Sequence, residues 1–199
     1  MLLIVLLNSG ETLMSGSYST AYLIFFKMAL EYYVNGRASA LCGCLFTTGN
    51  LLHHAVEMML KGELSRTVSL EDLKDSKKYG HSLPKCWNAF KSLFPTENLT
   101  EFESMILHLD QFETIRYPDK ILSKGAMIGI GFNKGRVVQR TIIGRPVPEY
   151  QLGIGDVDAF FARAMRLCHM NPEAYFIFLT DQGREILMKN NDYANDWLR

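Results

Sequence analysis

The stretch from Arg37 to Leu64 constrains the fold of this 199-residue chain more than any other. It is apolar on several faces at helical spacing, which predicts a long helix surrounded by others at the centre of a bundle. Within it, Gly49-Asn50-Leu51-Leu52-His53-His54-Ala55-Val56-Glu57-Met58-Met59-Leu60-Lys61-Gly62 carries ionisable residues where such a helix would ordinarily carry leucine or alanine. Burying an ionisable group is costly unless it is paired, so these residues predict either a structured site or a register-fixing network. His53 and Glu57 are four apart, His54 and Glu57 three apart, and Glu57 and Lys61 four apart, so all four share one broad face. Glu57 is therefore expected to be buried at least in part and paired with Lys61, His54 or a residue near His81.

The flanking pattern predicts a mainly α chain. A first helix over Ser17 to Tyr33 stops at Asn35-Gly36, and Gly43 and Gly49 mark close approaches of the second helix to its neighbours. Short helices start at Ser69 and at Ser82, the latter with Pro84 in its first turn, and another runs from Thr100 to Ile115 until Tyr117-Pro118 breaks it. Met127 to Phe132 and Arg136 to Ile143, either side of Asn133-Lys134-Gly135, read as a β-hairpin, and Val147 to Leu152 as a further strand. Asp156 caps a helix through Cys168, and Glu173 to Asn190 forms a last helix broken near Gly183.

Composition narrows the function classes. Twenty-one basic and 21 acidic residues cancel, so there is no bulk attraction for nucleic acid or membrane, and any RNA contact needs a local patch. The four cysteines, Cys42, Cys44, Cys86 and Cys168, do not read as a disulfide framework, and Cys42 with Cys44 makes a poor zinc site. The apolar run Met1 to Leu7 lacks a positive region before it and is too short to span a bilayer, so residues 1–13 are expected to be an extension and the protein to be cytoplasmic, without a membrane partner.

Two further segments share the mixture of apolar and ionisable residues: Lys78-Tyr79-Gly80-His81-Ser82-Leu83-Pro84 and Phe112-Glu113-Thr114-Ile115-Arg116-Tyr117-Pro118-Asp119. His81 can cap or bridge helices, or meet a ligand. Arg116 can meet helix-end carbonyls, with Asp119 holding it, or grip a phosphate while Tyr117 stacks a base. His53 and His54 with Glu57 are competent metal ligands. Adjacent residues point about 100° apart on a helix, however, and a site would need a third element such as His81. No metal is therefore expected.

Together the three segments resemble the HEPN family, small helical bundles of prokaryotes that include ribonuclease toxins and nucleotide-binding relatives. The resemblance covers about Ala21 to Asp119. It implies an antiparallel helical bundle, which together with the β-hairpin and strand read above at 126–152 makes one domain over residues 14–199. It also implies a homodimer without a cofactor, binding nucleotide or RNA through Arg116, Tyr117 and His81. His53, His54, Glu57, Lys61 and Asp119 would form the supporting polar network. Relatives of this type pair with nucleotidyltransferase antitoxins, so a toxin–antitoxin or defence role is the expected setting. The ribonuclease members carry an arginine, usually followed by a polar residue, and a histidine four to six residues beyond. Arg116 has no such histidine, and Arg163 with His169 has Ala164 in the polar position. Ten arginines, three spacings and a scarce histidine predict roughly 0.75 chance matches, so this one carries no weight. The expectation is a non-catalytic binding protein. The alternative is a metal-independent endoribonuclease using Arg163 and His169, or Arg116 with His108 or His81.

Overall fold

The computed structural model describes residues 20–134, 147–177 and 179–197. The expected extension 1–13 lies outside them. The fold is mainly helical, as the periodicity predicts. Helix α1 (Thr20–Leu41) and helix α2 (Leu45–Leu64) are joined by a three-residue turn. Gly36 faces Leu52 and Gly62 faces Phe26, so the two helices run antiparallel. Two sequence expectations are corrected here. Asn35-Gly36 does not end the first helix, because Gly36 is held in helix by its packing on Leu52. Gly43 is not a close approach: it is the turn itself, at φ +74 with nothing within 4 Å of where a Cβ would stand. Arg37 therefore belongs to α1.

Helix α3 (Leu70–Lys74) begins at Ser69, whose hydroxyl accepts from the Asp72 amide. Helix α4 (Leu83–Leu93) has proline in its first turn. Ser82 holds the cap position there without a side-chain cap bond, and Asp110 supplies it instead by accepting from the Leu83 amide at 2.9 Å. Helix α5 (Glu103–Phe112) is extended by 3-10 turns at both ends, Thr100–Phe102 and Glu113–Ile115. It runs antiparallel to α2: Phe112 lies against Gly49 while Leu109 meets His53. A Cβ on residue 49 would overlap the Phe112 ring, so glycine here is the close approach the sequence predicts. Tyr117-Pro118 breaks the α5 segment but also starts helix α6 (Pro118–Lys124), with proline in the first turn where its missing N–H costs nothing.

Strands β1 (Met127–Gly131) and β2 (Glu149–Gly153) pair in parallel, Met127 opposite Glu149 and Gly131 opposite Gly153. Strand β2 is the further strand expected over Val147 to Leu152, and its parallel pairing with β1 is the feature the sequence does not reveal; the expected hairpin partner at 136–143 lies outside the described residues. Parallel strands cannot be closed by a tight turn and need a connection of about a dozen residues or more, which residues 132–148 provide. The sheet covers the end of α5, with Tyr150 buried and its ring 5.7 Å from that of Phe112.

Helix α7 (Ile154–Leu167) starts directly from β2 with Gly153 in the cap position, so Asp156 lies in its first turn rather than capping it. The expected last helix is two: α8 (Pro172–Phe176) and α9 (Asp181–Met188), the second capped by Thr180 accepting from the Gly183 amide. Gly183 is thus inside a helix and not at the break. Trp87, Phe90, Phe102 and Phe160 form one aromatic centre of the core, and Tyr33 stacks on Phe161 at 4.1 Å. Among the described residues no helix is long and apolar enough to cross a membrane.

Candidate functional site

The middle of α2 supplies the site's centre. Leu52, Ala55, Val56, Met59 and Leu60 bury this helix among its neighbours and carry Glu57 into the interior with them. The Glu57 carboxylate is fully buried yet meets donors from two parts of the chain. Lys61 donates to Oε1 at 2.7 Å, and His54 Nδ1 lies 3.2 Å from Oε2. His81 Nδ1, from the loop before α4, stands 3.1 Å from Oε1 and 3.2 Å from Oε2. Lys61 also donates to the Gly80 carbonyl at 2.5 Å, which fixes that loop against α2. The expected Glu57 network is therefore present, with both Lys61 and His81 in it.

The electrostatics follow from these contacts. Burial alone would push the Glu57 carboxyl up, but hydrogen bonds from His54, Lys61 and His81 and the Lys61 charge outweigh it and hold it down at about 2. An ionised carboxylate only accepts, so His54 and His81 each present an Nδ1–H to it and keep Nε2 unprotonated when neutral. His81 is 60% exposed in its side chain and His54 19%. The Cys86 thiol, buried nearby, is pushed up to about 12 by desolvation and serves as packing.

His53 differs from the other two histidines. It is buried, and desolvation holds it below its ordinary value, so the ring is neutral. Its Nδ1 lies 3.1 Å from the Leu109 carbonyl, an acceptor, so Nδ1 carries the proton. That leaves Nε2 as a bare lone pair, buried without a hydrogen-bond partner and 3.8 Å from Glu57 Oε2. His53, His54 and Glu57 offer ligand atoms that all lie within 4.8 Å of one another. Asn50 Oδ1, one turn earlier on α2, and Glu113 Oε2, just after α5, are buried acceptors without a hydrogen-bond partner too.

Arg116 and Tyr117 lie elsewhere. Gly49, which faces Phe112, is eight residues from Glu57. That is about 12 Å along the helix, and Arg116 follows Phe112 away from His81. Arg116 pairs with Glu113 at 3.3 Å, and its guanidinium stands 5.9 Å from the Tyr117 ring centre. Tyr117 is 67% exposed and extended, directly before Pro118. Asp119 does not hold Arg116. It sits exposed in the first turn of α6, where its charge favours the helix N-terminus. Thr114 Oγ1, 3.3 Å from the Tyr150 hydroxyl, ties this corner to the sheet.

Of the groups in the ribonuclease alternative, Arg163 is ion-paired with Glu97, and His169 occupies the turn after α7 at φ 53. A second buried charge cluster carries no local sequence signal. Arg37 on α1 donates through Nη1 to both carboxylate oxygens of Asp158 on α7, through Nη2 to the Lys189 carbonyl and through Nε to that of Ile186. Tyr33 donates to Asp158 at 2.6 Å, and Asn191 donates to the Tyr33 hydroxyl at 3.3 Å. No family profile matches the chain, and neither a curated protein nor a solved structure matches it.

Proposed function

We propose that this chain is a HEPN-like binding protein whose ligand is a nucleotide or a short stretch of RNA, held at the corner between α5 and α6. The observation that carries the reading is the exposed Arg116–Tyr117 pair, a guanidinium and a phenol ring side by side on a backbone stiffened by Pro118. A guanidinium suits a phosphate, and an exposed ring suits a base. His81, exposed and hydrogen-bonded to buried Glu57, is the third ligand-binding residue that the family resemblance implies, and it stands apart from this pair. A homodimer and a nucleotidyltransferase-type antitoxin partner, in a toxin–antitoxin or defence setting, extend this reading from the family resemblance.

The test is titration with ATP, GTP and a single-stranded RNA oligonucleotide, followed by calorimetry and melting on Arg116→Ala. Affinity falls about tenfold or more, as expected for one lost charge-assisted contact, while Tm stays nearly constant. No binding to the parent protein at millimolar ligand overturns the reading.

A further inference from the structure

We infer that His53, His54 and Glu57 form a binding site for a divalent transition-metal ion of the zinc class, with His81 at its open side. This goes beyond the nucleotide reading and stands or falls independently of it. The first observation is the His53 ring. Its Nδ1–H is spent on the Leu109 carbonyl, an arrangement that fixes the tautomer of metal-ligating histidines and aims the other nitrogen's lone pair at the ion. That lone pair has no hydrogen-bond partner and faces a carboxylate oxygen at 3.8 Å. Two acceptors facing each other in a buried setting, one of them without any donor, repel, and a cation between them converts the repulsion into two bonds.

The second observation is spacing. A tetrahedral ion bound at about 2.0–2.1 Å separates its ligand atoms by about 3.3–3.4 Å. His54 Nδ1 and His53 Nε2 lie 3.2 and 3.8 Å from Glu57 Oε2. His81 Nδ1, 3.2 Å from the same oxygen and on an exposed side chain, completes a fourth position by a small movement. Adjacent histidines serve one ion here because one presents Nε2 and the other Nδ1, which offsets their divergence around the helix. On metal binding His54 and His81 release Oε2 and turn their Nδ1 lone pairs to the ion, moving the ring proton to Nε2.

The ion's class follows from the charges. Glu57 contributes one negative charge, and Lys61, which keeps Oε1, cancels it. Calcium and magnesium depend on anionic oxygen ligands and find none in excess, whereas imidazole nitrogens suit zinc, cobalt or nickel.

Full-length protein stripped with a chelator and shown to be folded by circular dichroism is titrated with Zn²⁺ by calorimetry and with Co²⁺ by visible absorption. The expected result is one equivalent per chain, with Co²⁺ ligand-field bands of a four-coordinate nitrogen/oxygen site and no competition from Mg²⁺. His54→Gln, at a part-exposed position that leaves the fold intact, weakens binding roughly a hundredfold, and His53→Gln does the same. Absence of saturable binding to the folded parent, or binding that His54→Gln and His53→Gln leave unchanged, overturns the site. So does equal competition by Mg²⁺.

Discussion

The Arg37–Asp158 cluster and the Glu57 cluster are both buried cation–carboxylate assemblies, and they are built to opposite ends. Around Arg37 the guanidinium's three nitrogens are all engaged, Asp158 accepts from Arg37 and Tyr33, and every partner is internal. The cluster ties α1 to α7 and to the end of α9, and leaves nothing to offer a ligand. Around Glu57 the acid is as deeply buried, but its donors arrive from a partly open side, and His53 contributes a lone pair that nothing uses. A closed network fixes helices. An open one, in the same core, leaves a lone pair unspent.

The sharpest way to break this contrast is to remove one charge from each cluster. Arg37→Ala leaves a buried carboxylate unpaired and costs about 3–5 kcal/mol in denaturant unfolding. Arg37→Met combined with Asp158→Leu recovers most of that loss, because apolar replacement of a whole buried pair is near neutral. If the double variant is no more stable than Arg37→Ala, the cluster does more than hold helices together. Glu57→Ala costs less, about 1–3 kcal/mol, since His54 and His81 can turn toward water and Lys61 keeps the Gly80 carbonyl.

Acid separates the clusters further, in chelator-treated protein. The Glu57 carboxyl is held at about 2 against an ordinary 4.5, so its stabilisation is complete above about 4.5 and is lost as pH falls through about 2. The gap in stability between the parent and Glu57→Ala should therefore close over that window. His53, held below its ordinary 6.5 by burial, stabilises above 6.5 and adds a loss as pH falls below it. A gap that persists at pH 2 would show that Glu57 acts by packing rather than by charge. The smallest effect belongs to Arg116, whose exposed pair with Glu113 contributes within about 0.5 kcal/mol, so Arg116→Ala should unfold with the parent.

The same contrast explains what was legible in the sequence. The Glu57 network is written in helical spacing on α2, and the neighbouring His81 segment repeats the unusual mixture of residue types, so both could be read. Arg37 and Asp158 stand 121 positions apart. Arg37 follows an Asn-Gly pair that reads as a helix stop, and nothing local reveals that Leu52 packs Gly36 into a continuing helix. Pairing across such distances is a tertiary choice that propensity does not carry. The parallel pairing of β1 with β2 was hidden for the same reason: a strand is legible at 147–152, but its partner is chosen by the packing of Tyr150 and Leu152 on the core. Helix α6 was a missed local signal, since proline starts helices as readily as it ends them.

The seat of Phe112 on the bare backbone of Gly49 has a consequence well beyond the contact itself. A flat ring against a residue without a side chain acts as an alignment key between α2 and α5. Sliding one helix by a single residue moves it about 1.5 Å and turns it about 100°, which would carry Leu109 away from His53. The aim of the His53 lone pair is thus set one turn away, by a position that touches none of the polar atoms. Any side chain at 49 would leave each of those groups in the sequence and spoil their convergence in space.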